Sequence, residues 1–142
     1  LLVIIIIGGT LFIYQGNQKS KEGYFFMMTK GTSMITDWNE SGIYSYASDD
    51  FKAHGTAKEF HDWISTVKEQ LGNAQECVNI QGSQPRFSYY SNKSGISVFI
   101  QYQMDCRFEK ANARLYISLQ ENSGAWKIDE INIDAPDSTR TK

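Results

Sequence analysis

A chain of 142 residues, 41% hydrophobic and 21% charged, is long enough for one packed domain and too apolar to stay unfolded throughout. Its formal charge of −2, with no cluster of Lys and Arg, argues against a phosphate-binding nucleic-acid surface. Two His and two Cys in the whole sequence leave little material for a metal centre.

The first residue is Leu1 rather than Met, so the opening run is read as the continuation of a longer precursor. Residues 1–14 (LLVIIIIGGTLFIY) carry no charge, and residues 15–23 (QGNQKSKEG) are polar or Gly. As a helix the run would span about 21 Å against about 30 Å of hydrocarbon, which predicts the trailing part of a single transmembrane helix. A signal-peptide core is the alternative; it needs a small-residue cleavage site, and Gly16-Asn17-Gln18 fits one poorly. A buried apolar element is the third reading. No acidic residue interrupts the run, so a pilin-type helix is set aside. Two signals for sidedness oppose each other. Lys19 and Lys21 favour the cytoplasmic side for that flank. The even cysteine count favours an oxidising compartment, and with it an extracytoplasmic domain. The expected organisation is an anchor at 1–14, a linker at 15–22, one domain at 23–134 and a disordered tail at 135–142.

A first helix is predicted over residues 23–45. Met27, Gly31, Met34, Ile35 and Trp38 fall on one face of a 3.6-residue period. Residues 39–42 (NESG) weaken it, and Gly31 on the inner face predicts close packing or a bend. The second helix has sharper signals. Thr56-Ala57-Lys58-Glu59 is a capping box, Phe60, Trp63, Ile64, Val67 and Leu71 form one stripe, and Gly72 is the stop.

After Asn73 the period changes to two. Residues 77–90 are irregular, broken by Gly82 and Pro85, and read as two short pieces, one of them at an edge. Alternation then runs unbroken from Ile96 through Phe108, and again through Ala111, Ala113, Leu115, Ile117 and Leu119. Residues 121–124 (ENSG) make a turn. In the last strand Trp126 and Ile128 point inward, then the phase shifts to Ile131 and Ile133, which predicts a β-bulge at Asp129-Glu130. The expected fold class is α+β, with two helices packed on a curved antiparallel sheet of three or four strands after a partial transmembrane helix.

The order of these motifs has a familiar counterpart. A long helix ends in Ile43-Tyr44, a connection carries Phe51-Lys52, and a capped helix bears Phe60, Trp63 and Leu71-Gly72. Gly124-Ala125-Trp126-Lys127-Ile128 precedes the final strand. Over residues 23–134 this resembles the nuclear transport factor 2-like (cystatin-like) superfamily of α+β cones. A bulged, curved sheet wrapped over helices makes a cone with a pocket or groove at its wide end, with Trp38, Tyr44, Tyr102 and Trp126 as candidate lining residues, and the same fold is what the resemblance implies. It implies no single function, because the superfamily hosts enzymes, ligand binders and assembly scaffolds. Its enzymes use an Asp or His base facing a Tyr or acid. His54, His61, Asp62 and Tyr102 are the residues of those types to weigh here, and none maps onto a family catalytic position.

No metal site and no cofactor are expected. Cys77 and Cys106 come close if residues 77–90 fold back on the long strand around Asn92-Lys93, although Val78 and Ile80 imply that Cys77 faces the other side; a disulfide and two buried thiols both remain open. Tyr89, Tyr90, Phe99 and Tyr116 are expected on the outward sheet face as a candidate partner surface or homodimer contact. The function expected from these features is a membrane-anchored, non-enzymatic binding or assembly module that contacts a protein partner. The alternative is a small-molecule binder or enzyme using the cone interior.

Overall fold

A computed structural model describes residues 2–89 and 95–135, with side chains from Ile13 onward. Helix α1 (Leu2–Phe26) runs through a π turn (Met27–Gly31) directly into α2 (Thr32–Thr36). The stretch expected as a linker, residues 15–22, is therefore helical. It contains no Pro, and its Gln, Lys and Glu residues propagate a helix well. Among the described residues no helix is long and apolar enough to cross a membrane, and the side chains of residues 2–12 fall outside that description.

The helix expected over 23–45 is not a single one. The rod ends where Trp38 takes a left-handed backbone (φ +48°). Asn39 then caps α3 (Glu40–Ser45), its side-chain oxygen accepting from the Gly42 N–H at 3.0 Å. One further turn, α4 (Asp49–Ala53), occupies the connection that carries Phe51-Lys52; the Ser48 hydroxyl caps it by accepting from the Phe51 N–H at 3.0 Å. Helix α5 (Ala57–Leu71) starts on the predicted capping box, with both reciprocal bonds formed, and stops at Gly72, whose φ of +73° suits a residue without a Cβ.

Five strands follow, where three or four were expected: β1 (Ala74–Gly82), β2 (Arg86–Tyr89), β3 (Ile96–Phe108), β4 (Asn112–Asn122) and β5 (Ala125–Asp134). All pairings are antiparallel, in the order β1-β3-β4-β5, with β2 in line with β1 against the other half of β3. Pro85 and its neighbours separate β1 from β2, as a residue without an N–H would at an edge. The bulge predicted in β5 is present: Leu119 pairs with Ile128 and Ser118 with Glu130, leaving Asp129 as the extra residue. Two further shifts break β1, one between Ala74 and Glu76 and one between Val78 and Gln81. Asn79 (φ +56°) sits in the second, so Ala74, Cys77 and Ile80, each three residues apart, all reach the core.

The helices cover one face of the sheet closely. A Cβ on Gly23 would lie 2.8 Å from Ile100 Cδ1 and 3.0 Å from the Tyr102 hydroxyl, so α1 rests on β3 with no space for a side chain at that point. One turn earlier, Lys19 reaches the buried carboxylate of Glu121 in β4 at 3.2 Å and Glu22 at the same distance. Burial lowers the Lys19 pKa, but the hydrogen bonds to the two carboxylates outweigh it and the net shift is upward. Trp38 locks the other end of the layer. It has no solvent exposure, donates its indole N–H to the Gly72 carbonyl at 3.0 Å, and stacks on Phe108 with ring centroids 5.7 Å apart.

Candidate functional site

The four residues expected around a pocket are spread through different environments. Tyr102 is almost wholly buried between Gly23 of α1 and Gly82 of β1, and Trp126 packs beside it at the same approach of α1. Removal from water holds the Tyr102 phenol protonated, with the negative potential of Tyr24 adding to it, and its pKa is pushed up from 10.0 to about 12. Trp38 floors a shallow depression of about 460 Å³ between α3 and α5 that Tyr44 also lines. Of the four, only Tyr44 lines the larger opening described next.

That opening is a cleft of about 590 Å³ between α3, α4, α5 and the β5 edge of the sheet. Its apolar wall is a run of rings in mutual contact. Tyr44 lies 5.7 Å from Phe60, Phe51 meets Phe60 edge-on at 5.5 Å, and Trp63 stacks on Phe60 at 6.0 Å. Each ring reaches this place for a local reason. Ser48 caps α4 and so directs Phe51 inward. The capping box fixes the start of α5, which sets Phe60 and Trp63 on its first two turns. The β5 bulge turns Asp129 to the edge, where it accepts from the Ser48 hydroxyl at 2.7 Å. A parallel bridge between Ala47 and Ile128 fastens the α3–α4 corner to the same strand.

The rim is acidic. Asp50, Glu59, Asp129 and Glu130 line the cleft against a single lysine, Lys52, whose ammonium lies 5.2 Å from the centre of the Tyr44 ring. Several of these charges are held in place. Glu59 accepts from the Thr56 backbone N–H at 2.6 Å, Glu130 accepts from the Asn132 amide at 2.6 Å, and Asp129 is bound to Ser48. The arrangement suits a ligand that is apolar on one side and cationic on the other.

The residues weighed for catalysis are apart from one another in their bonding. His54 lies on the cleft rim with Nδ1 donating to the Asp50 carbonyl at 2.6 Å. His61 pairs with Glu40 at 2.8 Å and Asp62 with Lys58 at 2.7 Å, both on exposed helix surface. Among the described residues no three His, Cys, Asp or Glu side chains converge as metal ligands do.

Cys77 and Cys106 are directly opposed in the β1–β3 register and form a disulfide. The parity of Val78 and Ile80 implied otherwise for Cys77; the left-handed Asn79 inserts the residue that reconciles them. Of the aromatics expected on one outward face, the three described do not all share it. Tyr89 pairs with Ile96, on the same side as Val98 and Ile100, which is the side the helices cover. Phe99 and Tyr116 are on the opposite side, both half-buried, and Tyr90 lies outside the described residues. The residue pattern alone does not single out Phe51, Phe60, Asp50, Asp129 and Glu130 as site residues. Their one advance signal was the bulge, which marks where a strand re-aims its side chains. The chain matches no protein-family model, no curated protein and no solved structure.

Proposed function

We propose that the chain is a membrane-held, non-enzymatic binding module that takes a segment of a partner protein into the cleft between α3, α4, α5 and β5. The observation that carries this reading is the contrast between the filled space under α1 and around Trp38 and the open cleft at the β5 edge. In the first, Trp38 and Tyr102 are buried and fill the space; in the second, a wall of four aromatic rings stands open under an acidic rim. Apolar lining with a few fixed polar groups is the usual make-up of a binding site. The fixed carboxylates of Glu59 and Asp129 serve as anchors for the fold as well as charge, which favours recognition over proton transfer. The uncharged run at residues 1–14 supports the membrane tether. Membership of the nuclear transport factor 2-like superfamily belongs to the same proposal, supported by the element order of a long helix, a capped helix and bulged antiparallel strands.

The partner segment expected is one that alternates apolar and basic side chains. A fluorescent Leu-Arg-Leu-Arg peptide should bind, and its Leu-Glu-Leu-Glu counterpart should not. Glu130→Lys reverses one exposed rim charge; in a partly screened site that is worth about 1 kcal/mol, or roughly fivefold in Kd. Equal binding of the two peptides, or a Glu130→Lys variant with unchanged affinity and salt dependence, would refute the reading.

A further inference from the structure

We infer that the domain has a second membrane contact, a collar formed by Ile13 and Tyr14 of α1 with Tyr89 and Ile96 at the joined ends of β2 and β3, and that this collar seats the domain directly on the lipid interface. The inference rests on the membrane-held reading and adds the orientation of the domain.

The four side chains are large, apolar or amphipathic, and left in solvent: Ile13 is 64% exposed, Tyr14 70%, Tyr89 77% and Ile96 56%. Three contacts fix their common level. Gly23 of α1 rests against Ile100 and Tyr102 of β3. Lys19, four residues earlier, reaches Glu121, whose strand partner is Val98. Stepping back four helical residues covers about 6 Å, and stepping back from Ile100 to Val98 covers about 7 Å, so α1 runs alongside β3 in the same direction. Continuing, Ile13 and Tyr14 lie about 8 Å beyond Lys19, and Ile96 lies about 7 Å beyond Val98. Tyr89 is opposite Ile96 in the register. All four therefore reach the same height, at the end of the domain from which α1 departs. Both strand residues are also on the helix-covered side of the sheet, the side α1 occupies.

The occupant is a bilayer surface rather than a protein because of what adjoins the collar. Residues 2–12 of the same helix carry no charge, so the chain leaves the collar as a hydrocarbon-compatible rod. Tyrosine at two of the four positions matches the amphipathic residues that settle at headgroup depth. Lys21, exposed about two turns above, has a long side chain that can extend toward anionic headgroups. The unbroken helix from Leu2 to Phe26, clamped by Gly23 and the Lys19–Glu121 pair, transmits the tilt of the inserted segment to the sheet without a flexible joint.

The test uses the full chain in vesicles of phosphatidylcholine and phosphatidylglycerol. The native cysteines are joined to each other, so Tyr89→Cys introduces a single reactive thiol for an environment-sensitive dye. Gln70→Cys, exposed at the C-terminal end of α5, gives the matching probe at the opposite end, where the Leu71 carbonyl meets Lys110. Lipid-borne nitroxide should quench the dye at 89 several-fold more than at 70, with a blue shift only at 89, and aqueous iodide should show the reverse order. Ile96→Cys repeats the measurement should Tyr89→Cys fold poorly. A chain that floats with the vesicles but quenches equally at the two ends overturns the collar and leaves the tether standing. A chain that does not float removes both.

Discussion

Cutting the cross-link between β1 and β3 should cost the domain a large part of its stability. Cys77 and Cys106 are 29 residues apart in sequence. In the chain-entropy treatment, a closed loop of that size removes about 12 cal/mol/K from the unfolded ensemble, or about 3.6 kcal/mol at 25 °C. Two features of the structure keep the native-state side of the comparison small. The partners are already opposed in the strand register, and Cys106 is flanked by core residues that hold β3 in place without the bond. The perturbation is best made in two ways. Reduction of the wild-type chain opens the bond with both sulfurs still filling their space. Cys77→Ala with Cys106→Ala adds the loss of the buried Cys106 sulfur, about 1 kcal/mol more. Urea titrations followed by far-UV circular dichroism give both differences, and thermal melts should shift down by about 10 °C for the reduced chain. A reduced protein whose urea midpoint is unchanged, with the slope also unchanged, would refute the reasoning. So would two titratable thiols in the folded protein purified under oxidising conditions.

Other expectations test the layer of helices. Trp38→Phe keeps the stacking on Phe108 but leaves the buried Gly72 carbonyl without its indole donor, for an expected loss of about 1–3 kcal/mol in urea titration. Gly23→Leu should destabilise by about 1–3 kcal/mol, although Gly to Leu normally favours a helix, because the side chain meets Ile100 and Tyr102; a more stable variant would mean that α1 does not rest on the sheet. Tyr102 has a higher pKa folded than unfolded, so its contribution is complete below about 10 and is lost as pH rises towards about 12. Absorbance at 295 nm should show one tyrosine ionising last, together with unfolding, and Tyr102→Phe should abolish that late component.

What was legible in the sequence was what local chemistry decides. The capping box at Thr56, the stripe ending at Leu71 and the stop at Gly72 are all settled within one helix, and α5 follows them. The bulge at Asp129 was legible because a one-residue slip reverses the side of every later side chain, and Ile131 and Ile133 declared the slip. The same rule concealed β1. Two shifts within nine residues restore the inward face every third position, so alternation is lost, and Cys77 could not be placed until the left-handed Asn79 was seen. The end of the first helix turned on Trp38, where a single bond to Gly72, thirty-four residues on, accompanies a backbone that sequence propensity disfavours. The cleft was least legible. Phe51, Phe60 and Ile131 come from a one-turn helix, a capped helix and a strand bulge, and only tertiary packing brings those pieces to one wall.

The proposed recognition at the aromatic wall of the cleft, with the space between the helices and the sheet filled, has a direct spectroscopic signature. Indole N–H resonances of the three tryptophans report both places at once. In a titration of the nitrogen-labelled chain with the Leu-Arg-Leu-Arg peptide, the Trp63 signal should move and that of Trp126 should stay, while the Trp38 N–H, whose ring meets Trp63 edge-on at 6.3 Å, should be slow to exchange with deuterium. Movement of Trp126 with Trp63 unchanged, or rapid exchange at Trp38, would contradict it.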